Sequence, residues 1–189
     1  MRNLARTLAH AALSMLAALP AWAAASWTVN PQESRIAFSG THAGRTFTGT
    51  FGKWSADIAF DPADLAGSKA IVRVDLTSAK TGDATYDKTL PTADWFDTAK
   101  SATATFTTTS FKAVGPKRYE ADGTLELRGA KAPVVVAFDL DISGDVARVT
   151  GRTRLQRLTF DLGKKSDAGG EWVSLEIPVE IALSAKRKS

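Results

Sequence analysis

Few residues in this 189-residue chain could carry out acid–base, nucleophilic or metal chemistry. The chain has no cysteine, which excludes thiolate catalysis and Cys-ligated metals, and it has only two histidines, His10 and His42. His42 lies in a glycine-flanked turn over residues 40–44, with no second imidazole or His-x-Glu pattern near it. We therefore expect a protein that is not an enzyme, with no catalytic residue, no metal site and no cofactor.

The charged residues are predicted to have structural roles. They give no reason to expect a nucleic-acid partner. Lys and Arg number 24 against 20 acidic residues, a net charge of +4, and the basic residues do not cluster on one face. The acid pairs Asp61/Asp64 and Asp83/Asp87 stand at the starts of two short helical patterns, where carboxylates cap helices. These carboxylates are predicted to stabilise local structure.

Residues 1–25 have the three parts of a secretory signal peptide. A basic start precedes an apolar run that ends at Leu19, and the small residues that follow permit cleavage after Ala23 or Ala25. The run is shorter than the roughly 20 apolar residues of a membrane span. We therefore expect export to the periplasm and a single domain over residues 26–189.

The elements that follow the signal segment have the alternation of apolar and polar residues that predicts strands with one apolar face. Eight or nine such runs, each of about 8–12 residues, follow one another, and helical periodicity is almost absent. At Gly52 the apolar phase shifts by one residue, as a β-bulge or kink produces. We predict an all-β fold, an extended antiparallel β-barrel of about eight strands, with one or two short helices at residues 61–65 and 83–90.

One hairpin has a predicted register. Ser143 and Gly144 separate two alternating runs, and a two-residue loop at these positions sets Phe138 opposite Val149. The same register sets Asp139 opposite Arg148 on the outer face, so the apolar and charged patterns agree.

Small residues cluster on the predicted inner faces, and few helical residues are available to fill the space beside them. This pattern fits an interior filled by opposing aromatic rings, and it also fits a cavity for an apolar ligand. An apolar ligand needs no charged motif, because each buried methylene contributes about 0.8 kcal/mol. The candidate cavity lining comprises Trp54, Phe60, Ala104, Phe106, Thr108, Gly123, Leu125, Val136, Phe138, Val149 and Phe160.

Trp95 and Phe96 lie on a predicted connection between Asp94 and Asp97. Two large aromatic side chains on a loop must pack against something. They are interpreted either as a plug at one end of the sheet or as a lid or mouth over a cavity.

Several short motifs, each present once, follow one another along the chain from Trp27 to Gly163. They include residues 27–30, 49–51, 75–83, 95–97, 104–106, 123–125 and 157–160. In order and spacing they resemble the YceI-like family of exported lipid-binding proteins. The chain departs from that pattern at Tyr86, where the family often has Arg, and at Ser101-Ala102, where Pro is common.

The resemblance implies a lipocalin-like barrel around a long apolar pocket, with polyisoprenoids, isoprenoid quinones or, in some members, fatty amides as ligands. We therefore expect periplasmic binding or transport of a long-chain polyisoprenoid or isoprenoid quinone. The alternative is a ligand-free interaction partner of a membrane cytochrome or stress-response complex, anchored by Trp95 and Phe96. Transient contact with a membrane and a homodimer are open in both interpretations.

Overall fold

The computed structural model describes residues 24–188, so most of the predicted signal peptide lies outside the described residues. One α-helix, α1 (Ala84–Thr89), and three 3₁₀ segments, Pro31–Glu33, Leu76–Ser78 and Arg157–Phe160, accompany the strands. The strand segments are β1 (Ser26–Val29), β2 (Arg35–His42), β3 (Arg45–Phe51), β4 (Trp54–Ala59), β5 (Lys69–Asp75), β6 (Ala79–Lys80), β7 (Thr103–Gly115), β8 (Arg118–Leu127), β9 (Ala130–Ser143), β10 (Val146–Gln156) and β11 (Glu176–Arg187).

These segments form a closed antiparallel barrel of eight strands, as the alternation predicts. Three of the eight strands are interrupted: β1 continues as β2, β3 as β4, and β5 as β6, since each half pairs with the corresponding half of its neighbour. The barrel closes where both β1 and β2 pair with β11. Closure leaves the first and last strands paired with each other, so the barrel has no free edge there.

Local chemistry explains the three interruptions. The Asn30 side chain accepts a hydrogen bond from the Gln32 N–H, and Pro31 follows with no N–H to donate. The Asp75 side chain accepts from the Thr77 N–H in the same way. Between β3 and β4, the Gly52 N–H donates to the Ser78 carbonyl at 3.2 Å. The phase shift predicted at Gly52 is therefore a real break, which lets the sheet change direction.

The predicted register of the β9–β10 hairpin was wrong by two residues. Val149 pairs with Leu140, and Phe138 lies opposite Gly151. The loop consists of Gly144 and Asp145, and Gly144 has a φ of +57°, which suits the glycine-first position of a type II′ turn. A shift of two residues keeps every side chain on its predicted face, so the inner set is unchanged.

Of the two predicted helices, one is present. The Asp83 side chain caps α1 by accepting from the Thr85 and Tyr86 N–H groups. Residues 61–65 form turns and no helix, with the Asp61 side chain accepting from the Ala63 N–H.

The buried side chains form one cluster at each end of the barrel. We call the end that carries residues 81–102 and 157–175 the loop end, and its cluster includes Phe38, Phe96 and Phe160. We call the other end, which carries Ser26 and Arg187, the terminal end, and its cluster includes Trp27 and Phe60. In the part of the chain that is described, no helix is long and apolar enough to cross a bilayer.

Candidate functional site

The barrel interior contains two chambers lined by the inward faces of its strands. The terminal chamber has a volume of about 130 Å³ and lies toward the terminal end. The loop chamber has a volume of about 160 Å³ and lies toward the loop end. The interior is therefore not completely filled by its own side chains, which decides between the two interpretations of the small inner residues.

The two chambers share part of their lining and so form one elongated lumen. Val72, Phe106, Val136 and Ile181 contribute to the walls of both. All four are only half-buried although they point into the barrel, because the lumen beside them is open. An elongated lumen of this kind suits a chain-like ligand better than a compact one.

Most of the predicted lining residues face the lumen. In the terminal chamber lie Phe60, Phe106, Thr108, Val136, Phe138 and Val149. In the loop chamber lie Ala104, Phe106, Leu125, Val136 and Phe160, together with Phe96. Their contact with a ligand stays a prediction.

Trp54 and Gly123 do not line either chamber. Trp54 is half-buried at the start of β4, opposite Val74, next to the break at Gly52. At Gly123 a Cβ atom would lie 2.5 Å from the Phe106 ring and 2.6 Å from the Thr107 carbonyl oxygen. The space that glycine leaves is thus already occupied by Phe106, which packs over it and reaches both chambers.

Phe111 lines the terminal chamber and was not predicted to do so. The pairing of β7 with β8 shifts between Thr108 and Ser110, so one residue of β7 is unpaired and the inward parity changes. Ser110 consequently faces outward and donates to the Asp122 carboxylate. No glycine or proline marks this bulge, so the sequence carried no signal for it.

The lumen presents almost no free polar group to a ligand. Thr108 Oγ1 accepts from the Ala70 N–H at 2.8 Å and donates to the Ala70 carbonyl at 3.1 Å. Arg157 borders the loop chamber, but its guanidinium is bonded elsewhere, as described below. A lumen with satisfied polar groups favours apolar ligands, since a polar ligand group placed there would lose its hydrogen bonds to water.

Trp95 and Phe96 lie at the loop end of the barrel, and their role as its mouth or lid stays a prediction. Phe96 is 7% exposed and belongs to the loop-end cluster. Trp95 is half-buried, and the Arg157 guanidinium lies 5.7 Å from its ring centroid. Phe96 is too buried to anchor a partner, whereas Trp95 borders the side pocket described below, so an anchoring role for Trp95 stays a prediction.

A buried ion pair fixes the loop that covers this end. The Arg157 guanidinium lies 2.8 Å from the Asp167 carboxylate and also donates to the carbonyls of Leu162, Val173 and Ser174. The Asp167 carboxylate accepts in turn from the N–H groups of residues 171–173. Burial alone would raise the pKa of Asp167, but the backbone donors and Arg157 outweigh it and hold the pKa below its ordinary value.

A second carboxylate joins this loop to the segment that carries Trp95. Asp94 accepts from the N–H groups of Lys165 and Ser166 and from the Ser166 hydroxyl. Burial raises the pKa of Asp94, and these hydrogen bonds lower it further than burial raises it. The cover of the loop end is therefore held by two carboxylates as well as by apolar packing.

His42 is engaged in a local contact. Its Nδ1 atom lies 2.8 Å from the Tyr86 hydroxyl, and the two rings meet edge to face. These residues border a small side pocket of about 180 Å³ beside Trp95. Among the described residues no group of three or more His, Asp or Glu side chains is placed to hold a metal ion.

Comparisons with known proteins agree with this geometry. A family model described as the YceI-like domain matches residues 27–185. A Vibrio cholerae protein described as UPF0312 is 30% identical over 185 residues, which cover 93% of this chain and 97% of that protein. A UPF0312 protein of Ectopseudomonas mendocina is 31% identical over 156 residues, 79% of this chain and 82% of its own length.

Solved structures share the barrel. Burkholderia cenocepacia BcnA superposes with a TM-score of 0.81 at 26% identity, over 84% of this chain and 100% of that chain. A polyisoprenoid binding domain from Saccharophagus degradans superposes with a TM-score of 0.70 at 18% identity, over 87% of this chain and 99% of that chain. At the lower identity the likeness concerns the fold alone.

Proposed function

This chain belongs to the YceI-like family, and on that premise we propose that it binds a long-chain apolar lipid inside its barrel, with a polyisoprenoid or isoprenoid quinone as the ligand class. The observation that carries the proposal is the elongated lumen whose walls are apolar and whose few polar side chains are already hydrogen-bonded. The description of a related barrel as polyisoprenoid binding supports the choice of ligand class.

The physical chemistry of such a site is simple. Each methylene that leaves water for the lumen contributes about 0.8 kcal/mol, so ten methylenes contribute roughly 8 kcal/mol before the losses of association. No catalytic step is part of the proposal: the protein binds, shields and releases its ligand.

The test is the lipid content of the purified protein. We expect organic extraction and mass spectrometry to release about one long-chain lipid per barrel from protein isolated with its native membranes present. Protein that carries no lipid and that also fails to bind added all-trans-retinol, a fluorescent isoprenoid alcohol, would overturn the proposal.

We also propose that the protein is exported to the periplasm through its N-terminal signal. The Phe60 N–H donates to the Ala25 carbonyl at 2.8 Å, and Ala24 is 9% exposed. Cleavage after Ala23 keeps both residues in the barrel, and cleavage after Ala25 removes them. We therefore expect the mass of the periplasmic protein to match a chain that starts at Ala24. Protein retained in the cytoplasm at full length would contradict export.

An interaction role is the second candidate, and one exposed surface favours it. Trp172 is 58% exposed and Leu175 is 39% exposed, both on the covering loop of the loop end. If a membrane protein or a second copy of the chain docks there, Trp172→Ala should abolish its capture while retinol binding is unchanged. Capture that persists in Trp172→Ala would remove this candidate.

A further inference from the structure

The barrel wall is split between β9 and β10. Their ladder runs from Ser143↔Val146 to Ala137↔Arg152 and stops there. Beyond that point β9 stays paired with β8 as far as Ala130, and β10 stays paired with β11 as far as Gln156. The two strands therefore diverge although each is held by its other neighbour, and Pro133 on β9 has no N–H to donate.

The gap is a real space, which we call the side cleft. It has a volume of about 420 Å³ and is lined from both faces of the sheet. Val135 and Arg154 belong to the outer face, whereas Val134, Thr153 and Leu155 belong to the inner face. Residues of both faces of the sheet therefore border the space where the two strands separate.

The side cleft and the lumen lie on two sides of the same residues. Val134, Thr153, Leu155 and Phe160 line both the cleft and the loop chamber. The cleft thus meets the apolar lumen from the side, while its outer border carries the 47% exposed Val135 and the exposed Arg152 and Arg154.

Both ends of the barrel are better covered than its side. At the loop end Phe96 and Phe160 are 7% and 2% exposed, beneath the loop fixed by Arg157. At the terminal end Trp27 and Phe60 are 3% and 6% exposed, and the Trp27 ring N–H donates to the Phe60 carbonyl. Opening either end breaks buried contacts, whereas the β9–β10 ladder is already interrupted at the cleft.

Building on the proposed lipid-binding function, we propose that the side cleft is the entrance through which an apolar chain enters and leaves the loop chamber. The chain passes between Val134 and Leu155, whose side chains border both spaces. Its methylenes then contact Val135, Val134 and Leu155 on the way to the lumen, while Arg152 and Arg154 border the outer side of the cleft. The ends of the barrel stay closed throughout.

The absence of cysteine from the chain makes a direct test practical. Val135 and Arg154 would face each other if the ladder continued two residues beyond Ala137↔Arg152. In the variant Val135→Cys/Arg154→Cys, a short bismaleimide can bridge the outer rim of the cleft. The control is Thr107→Cys/Thr124→Cys, a directly opposed pair on the outer side of β7 and β8.

The readout is the rate of retinol uptake and release, followed by stopped-flow fluorescence after mass spectrometry has confirmed the bridge. We expect the bridged cleft to slow both rates at least tenfold while the amount bound at equilibrium changes less than twofold. The bridged control should retain the rates of the unmodified protein. A bridged cleft with unchanged rates overturns the entrance and leaves the lipid-binding proposal intact, whereas unmodified protein that binds no retinol overturns both.

Discussion

The buried ion pair between Arg157 and Asp167 gives the sharpest prediction of stability. The substitution Asp167→Ala removes a carboxylate whose side chain is 4% exposed and leaves a guanidinium whose side chain is fully buried. It also removes the acceptor for three backbone N–H groups of the covering loop. The guanidinium also donates to the backbone carbonyl of Asp167 itself, but this carbonyl and those of Leu162, Val173 and Ser174 cannot neutralise its charge.

The expected loss follows from the class of interaction. Removing one partner of a buried ion pair costs about 3–5 kcal/mol, because the other charge stays buried without compensation. This is a large fraction of the roughly 5–15 kcal/mol that stabilises a typical domain. With a urea m-value of about 2 kcal/mol/M, the unfolding midpoint should fall by roughly 2 M.

Urea unfolding followed by tryptophan fluorescence measures this change, and Asp57→Ala is the matched control. Asp57 pairs with Arg73 at 2.7 Å, nearly the same distance, but both side chains are exposed. The control should lose less than about 1 kcal/mol. Equal, small losses in the two variants would refute the conclusion that burial makes the Arg157–Asp167 pair important.

Two further predictions concern the substitution of two glycines and the stability of the fold at acid pH. Gly123→Ala should destabilise the barrel by about 1–3 kcal/mol because its Cβ would meet the Phe106 ring at 2.5 Å. Gly151→Ala should be neutral or stabilise the barrel by up to about 1 kcal/mol, since the nearest atoms to that Cβ lie at 3.5 Å. Equal effects of the two substitutions on urea unfolding would contradict both expectations. Because the pKa values of Asp167 and Asp94 are lowered in the fold, the stability that they contribute is present above their ordinary pKa near 4 and is lost as pH falls through the lowered values. The free energy of unfolding should therefore decrease as the pH falls below about 4, and it should decrease less in Asp167→Asn. An identical pH profile in Asp167→Asn would show that Asp167 is not responsible.

The alternation of residue types was enough to predict the barrel and most of its inner face. Val72, Val136 and Phe138 face the lumen because a period of two fixes the face of each strand, and the two-residue register error at the β9–β10 hairpin did not disturb that assignment. The resemblance to the YceI-like family was likewise confirmed by the match over residues 27–185.

The features that the sequence did not reveal depend on contacts between distant segments. The bulge that turns Phe111 inward has no local marker, and the end of the β9–β10 ladder depends on how each strand pairs with its other neighbour. In the sequence, Arg157 resembles an exposed residue at the end of a strand that carries other basic residues. In the structure, residues 162–174 wrap around it and bury it. The volume of the lumen likewise depends on packing, which alternation does not specify.

We propose that the lumen holds the ligand, and neighbouring positions on β5 test this directly. Val72 lines both chambers, whereas the adjacent Arg73 is exposed on the outer face. Val72→Trp should displace about four methylenes of a bound chain, a loss of about 3 kcal/mol, which weakens retinol binding more than 100-fold. Arg73→Trp should bind retinol as the unmodified protein does, with circular dichroism showing both variants folded. Equal retinol affinity in folded Val72→Trp and Arg73→Trp would place the ligand outside the barrel and contradict binding in the lumen.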